Sequence, residues 1–350
     1  MAERVLLHVG AMKSGTSFIQ VRMAANQEAL AKQGVLFPGD GWRDQVLAVT
    51  DVLGHKREGP VSKEGRWQRL VDEANAWSGT VVVSMEFLGP AKPQNIRKVV
   101  QSFPDSHVEA VMTVRDLGRS IPAMWQETVQ NQKTWTWEEY VAGIRRGPRM
   151  GDAAGRHFWR QHNTPQMASR WADEVGRDNF TVVTLPHPGA GTEVLWERFC
   201  SVVGIDPASC APVPPTNESM GVVSALMMRR LNAILVEQGM PWKDYTTFVK
   251  WGLAKGVLAD RKRSEPALGF EVERWLEKRA AKLVKQLRDL GVRVVGDLEE
   301  LSPVAVPGVD PATISEADQL DAALAGLAEV LRLRGRDRSK RERRGRRNRT

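Results

Sequence analysis

Between Gly10 and Ser17 the chain reads Gly-Ala-Met-Lys-Ser-Gly-Thr-Ser, a stretch with two glycines, one lysine and three hydroxyl side chains. Glycines turn the backbone where other residues resist, and N–H groups converging at the mouth of a following helix form a cradle for an anion. Gly10 and Gly15 have the separation of the two glycines in a G-x-x-x-x-G-K-[ST] nucleotide turn. Yet Thr16 stands where that turn carries its lysine, and the cation comes early, at Lys13. The expected chemistry is the grip of a phosphate-like group with an ammonium beside it.

Two further strand-like runs deliver polar residues to their ends. Val108 to Val114 ends in Arg115-Asp116, with Arg119 and Ser120 close behind. A guanidinium offers a forked pair of donors and a serine hydroxyl one more, as a second phosphate site requires. Thr80 to Met85 delivers Ser84 and Glu86. In an open parallel sheet the carboxyl ends of the strands face the ligand crevice, which makes Glu86 a candidate general base; capping the following turn is the other reading. His157 and His162 are second choices for the base, and His8, inside the first apolar run, reads as a core histidine.

Lys13-Ser14-Gly15-Thr16-Ser17, at the end of the first strand, resembles the 5′-phosphosulfate loop of the sulfotransferase family, which uses 3′-phosphoadenylyl sulfate (PAPS) as donor. A strand ending in an arginine is similar to that family's 3′-phosphate site. The family usually has a serine eight positions further on, where this chain has Ala123, and Ser120 lies only five on. The resemblance implies a P-loop-type fold and a PAPS-dependent sulfotransferase acting on a hydroxyl or amine of a carbohydrate, lipid or small metabolite, with no metal. Ser14, Gly15, Thr16 and Ser17 would hold the 5′ end and Lys13 would face the bridging oxygen. Arg115, with Arg119 or Ser120, would hold the 3′-phosphate. The resemblance spans roughly the first 200 residues.

These residues need a scaffold of alternating strands and helices. Strand signals fall at Arg4 to Val9, Val35 to Phe37, Thr80 to Met85, Val108 to Val114, Phe180 to Leu185 and Val292 to Gly296. Helical patterns lie between them, the first over Ser17 to Gln33 with Ser17 as its cap and another entering near Pro122. The expectation is an α/β protein with a doubly wound parallel sheet of about four to five strands and a helical C-terminal part. Residues 1–300 would form the α/β domain, with helical additions from about 216. Residues 301–334 would be a linker and an amphipathic helix, and 335–350 a disordered Arg-rich tail. The Gly54 to Gly65 loop reads as a surface connection and Asn217-Glu-Ser219 as a helix cap.

The chain has 350 residues, 42% of them hydrophobic, and a formal charge of +8. Residues 332–349 hold eleven Lys or Arg against Asp337 and Glu342, which leaves the first 330 residues near −1. The body is therefore not a basic protein, and contact with a nonspecific polyanion or an anionic membrane would run through the tail. No apolar run reaches membrane-spanning length and no signal-peptide pattern opens the chain, so a cytoplasmic protein is expected, peripheral at a membrane if the tail binds one. Cys200 and Cys210 lack metal-ligand spacing and read as inert thiols. Two competing readings stand: a P-loop kinase or nucleotide hydrolase, and a polyanion-binding protein acting through the tail.

Overall fold

The computed structural model describes residues 1–55, 61–191, 193–214 and 220–347, with side chains as far as Leu333. Six strands form one sheet: β1 (Arg4–His8), β2 (Val35–Leu36), β3 (Thr80–Ser84), β4 (His107–Val114), β5 (Phe180–Thr184) and β6 (Arg293–Val295). Their order is β2-β3-β1-β4-β5-β6, and every neighbouring pair is parallel. The expected four to five strands become six because both edges are short: β2 has two residues and β6 three. Short edges leave few amides open to another chain.

Up to β5 the chain runs through α1 (Thr16–Ala25), α2 (Gln27–Ala31), α3 (Trp42–Val52), α4 (Arg66–Asn75), α5 (Pro93–Val100), α6 (Leu117–Gln130), α7 (Trp137–Arg146), α8 (Ala153–His162) and α9 (Thr164–Val175). After β5 come α10 (Glu193–Val203), α11 (Val222–Glu237), the single turn α12 (Trp242–Asp244), a π-helical stretch (Tyr245–Leu258), α13 (Arg274–Asp289) and α14 (Glu316–Arg347).

The two-residue period of the strands sorts their side chains. Val5, Leu7, Val81, Val83, Ala110, Met112 and Val182 pack against α3, α4, α5, α9 and α13. Leu6, Val82, Val111 and Val183 face the other way, against Ile19 and Met23 of α1 and Trp196 and Phe199 of α10. Burial on both faces explains the continuous apolar runs of the central strands, at roughly 1.5–3 kcal/mol for each large side chain. A third core, around Trp125, Tyr140, Phe158, Met228 and Tyr245, joins α6, α7 and α8 to α11 and the π-helical stretch. The helical part thus draws on segments well before residue 216.

The crossover after β1 passes to one face of the sheet and the crossover after β3 to the other. That reversal opens a crevice at the carboxyl end of β1. Three local expectations change. The Ser17 to Gln33 helix is two, divided at Asn26, and its first residue follows Gly15 in a left-handed conformation (φ 87°) rather than a serine cap. Asn26 holds the break by bonding Arg22 O at 2.8 Å and Ala211 O at 3.0 Å. Helix α6 begins at Leu117, well before Pro122, because the Asp116 side chain accepts from Arg119 N and caps it. Finally, the backbone of α14 continues past Gly335 to Arg347, in a segment rich in the good helix formers Arg, Lys and Glu. Residues 56–60 of the Gly54 to Gly65 loop, and Asn217-Glu-Ser219, lie outside the described residues. Among the described residues no helix is long and apolar enough to cross a membrane.

Candidate active site

His8 ends β1 and is fully buried between its neighbours, with Nδ1 2.7 Å from Ser84 Oγ and Nε2 3.1 Å from Thr113 Oγ1. Burial lowers its pKa to about 3, so it is a neutral cross-link joining β3, β1 and β4. Pairing with β4 then continues through Val9 N to Val111 O and Ala11 N to Thr113 O, and the chain leaves the sheet only after Ala11.

The turn that follows is tightly determined. Lys13 (φ 60°) and Gly15 (φ 87°) both take left-handed backbone, and for the lysine this costs about 1 kcal/mol. Ser14 anchors the turn inward, its hydroxyl 2.5 Å from Ala11 O and 2.8 Å from Thr113 Oγ1. A Cβ on Gly10 would stand 2.6 Å from Thr16 Oγ1 and 2.8 Å from Thr113 Oγ1, and one on Gly15 would collide with Leu195 Cδ2. Thr16 occupies the Walker lysine's slot with its side chain buried, and its Oγ1 has no hydrogen-bond partner among the described residues.

At the end of β4, Arg115 Nη1 donates to the carbonyl oxygen of Lys13 at 3.2 Å, while its buried Nε is unpartnered. Burial, followed by the nearby Arg119, lowers its pKa to about 10, which leaves it charged at neutral pH. Arg119 is held by the Asp116 carboxylate and by Pro186 O at 2.9 Å, with Nη2 buried and unpartnered. Ser120 turns back to Asp116 O at 2.7 Å and is buried. The structure therefore places Ser14 and Ser120 with their hydroxyls already bonded inside the protein, and Ser17 half-buried in the first turn of α1.

Lys13 Nζ lies 2.7 Å from Glu127 Oε2 of α6. Lys250, from the π-helical stretch, approaches the other oxygen of Glu127 at 3.8 Å and bonds Asn131 Oδ1 at 2.7 Å. Burial alone would raise the Glu127 pKa, but Lys13 and Lys250 outweigh it and hold the carboxyl well below the ordinary range. Lys255 also feels that carboxylate; its own pKa is lowered, first by burial. Glu86 has the reverse balance. Burial raises its pKa, helped by the charge of Glu127, against a hydrogen bond from Gln20 Nε2 at 3.3 Å. His162 is buried against Phe158, with Nε2 unpartnered; burial and the charges of His157, Arg115 and Lys13 lower its pKa to about 3.

The predicted residues Lys13 to Ser17, Glu86, Arg115, Arg119 and Ser120 thus gather at the carboxyl ends of β1, β3 and β4. Sequence reading missed Glu127, Gln20, Lys250 and Lys255. Glu127 and Gln20 carry no motif, and nothing in the spacing of Lys250 and Lys255 ties them to a turn more than 200 residues earlier.

Fold and site together define a parallel α/β protein with a glycine-rich turn at its switch point, in which the lysine precedes the second glycine. No protein-family model and no curated protein matches the chain. The sulfotransferase from Alicyclobacillus acidocaldarius is a similar solved structure, with 15% identity and a TM-score of 0.40 over 66% of this chain and 91% of that one.

Proposed function

We propose that this protein is a PAPS-dependent sulfotransferase, moving a sulfuryl group to a hydroxyl or amine of a small-molecule, glycan or lipid acceptor. The observation that carries the reading is the hydrogen bond from Arg115 to the carbonyl of Lys13. It places a guanidinium with an unpartnered nitrogen against the turn that holds the early lysine, so that one doubly anionic nucleotide can engage both. Thr16 Oγ1, Arg115 Nε and Arg119 Nη2 are buried polar atoms without hydrogen-bond partners among the described residues, around this turn and the neighbouring strand end, and anionic oxygens would satisfy them.

PAPS supplies the activated sulfuryl group, and its transfer breaks the bond between sulfur and the 5′-phosphate oxygen. Amides of Ser14 to Thr16 would hold that phosphate, and Lys13 would neutralise the oxygen being expelled. Arg115, aided by Arg119, would fix the 3′-phosphate. Glu86, whose pKa burial raises, would in its ionised form take the acceptor's proton as the new bond to sulfur forms.

Thermal shift with 3′,5′-diphosphoadenosine against ATP with Mg²⁺ tests the reading. The diphosphate should give the larger stabilisation; a larger one from the triphosphate would favour a kinase or hydrolase.

A further inference from the structure

Helix α14 docks on the protein by its small residues. Ala322 is fully buried, and Gly326 lies so close to the π-helical stretch that an added Cβ would touch Leu253 and Leu258 at 3.4 Å. Four of its leucines point the opposite way: Leu320, Leu324, Leu327 and Leu331 are 59%, 56%, 56% and 61% exposed. At about 100° per residue these four form one stripe, on the side of the helix away from Ala322 and Gly326. Beside it a groove of about 460 Å³ between α11 and α14 is lined by Leu231, Ile234, Leu320 and Ala323. A helix that buries alanine and glycine while exposing four leucines in line has its apolar face directed at something outside the fold.

Spacing and charge identify the occupant. The intervals of the stripe are four, three and four residues, the alternation of a coiled-coil seam. The series is the same read in either direction, so two copies running antiparallel match Leu320 with Leu331 and Leu324 with Leu327. The helix is also polarised: Glu316, Asp318, Asp321 and Glu329 are acidic with no cation among them, whereas ten Lys or Arg follow between Arg332 and Arg347 against Asp337 and Glu342. Antiparallel pairing sets the acidic end of one helix beside the basic end of the other. Parallel pairing would join like ends, and an anionic membrane would repel the acidic half. We propose that the leucine face of α14 is covered by the same face of a second copy of this chain, antiparallel about a two-fold axis near Ala325 and Gly326.

Sedimentation equilibrium of the full chain tests this. The wild type should dimerise at tens of micromolar, with association weakened by raising NaCl from 0.05 to 0.5 M. Leu324→Glu with Leu327→Glu should weaken it at least tenfold. Since both leucines face solvent, thermal unfolding of the monomer should be unchanged. Glu316→Lys with Asp321→Lys should also weaken the dimer. A tighter dimer from that pair would indicate parallel helices and overturn the proposal. So would a wild type that stays monomeric at 100 µM, or one that floats with phosphatidylserine vesicles as a monomer.

Discussion

The ammonium of Lys13 lies 2.7 Å from Glu127 Oε2, a carboxylate delivered by a helix more than a hundred residues further along the chain. Lys13 therefore stands with Glu127 on one side and, on the proposed reading, the nucleotide's 5′ end on the other. Lys250 also approaches Glu127, at 3.8 Å, so the carboxylate keeps a cation of its own if Lys13 turns toward a ligand.

Replacing Glu127 by glutamine keeps the volume and removes the charge that, on the proposed reading, competes with the nucleotide for Lys13. Glu127→Gln is expected to bind 3′,5′-diphosphoadenosine about three- to tenfold more tightly, as read by titration calorimetry. Weaker binding would make Glu127 a positioner of the lysine.

Lys13→Ala removes the cation proposed to face the leaving oxygen. The predicted loss in kcat is about 10²–10³-fold. The stability loss is modest, about 1 kcal/mol, because Lys13 is partly exposed and Lys250 still faces Glu127. Near-wild-type turnover of PAPS by this variant would remove Lys13 from the mechanism.

Arg115→Lys keeps the charge and loses the fork. Affinity for 3′,5′-diphosphoadenosine should fall about 10–100-fold, while adenosine 5′-phosphate, which lacks the 3′-phosphate, should bind within about twofold of wild type. Equal losses for both ligands would mean that Arg115 acts through the Lys13 carbonyl on the turn and not on a 3′-phosphate.

Burial raises the Glu86 pKa above its ordinary 4.5, and a general base works only when ionised. The rate should therefore climb as pH rises through that raised value, placing the acid limb of kcat/KM above pH 4.5. Glu86→Gln should abolish the limb and lower the rate about 10²–10⁴-fold. Stability runs the other way. The contribution of protonated Glu86 is fully present below pH 4.5 and is lost as pH rises through the folded-state pKa, so denaturant midpoints of Glu86→Gln should depend less on pH over that window. An unchanged acid limb in the glutamine variant would remove Glu86 from the role of base.

Gly10→Ala would press a methyl group to within 3 Å of Thr16 Oγ1 and of Thr113 Oγ1, the latter 3.1 Å from the buried His8 Nε2. A loss of about 1–3 kcal/mol in chemical denaturation is expected. Wild-type stability would show that the turn relaxes more freely than its packing indicates.

What the sequence settled by itself were the features that act locally. β-branched runs gave the central strands their places, and the period of two decided which side chains meet which layer of helices. Two glycines with an early lysine marked the turn: Gly15 takes left-handed backbone, and Gly10 leaves no room for a side chain beside Thr16 and Thr113. An arginine at the end of one strand and a glutamate just past another were legible for the same reason: in a parallel sheet every strand end opens on one crevice. The tertiary structure decided what those groups touch. Ser14 and Ser120 look like ligand hydroxyls in sequence, but each is buried against a nearby carbonyl oxygen, and a buried hydroxyl takes the nearest partner. Glu127, Lys250 and Lys255 join the site only because side chains of α6 and the π-helical stretch meet in the third core. Charges so far apart along the chain acquire a common field through packing alone, which no spacing in the sequence records.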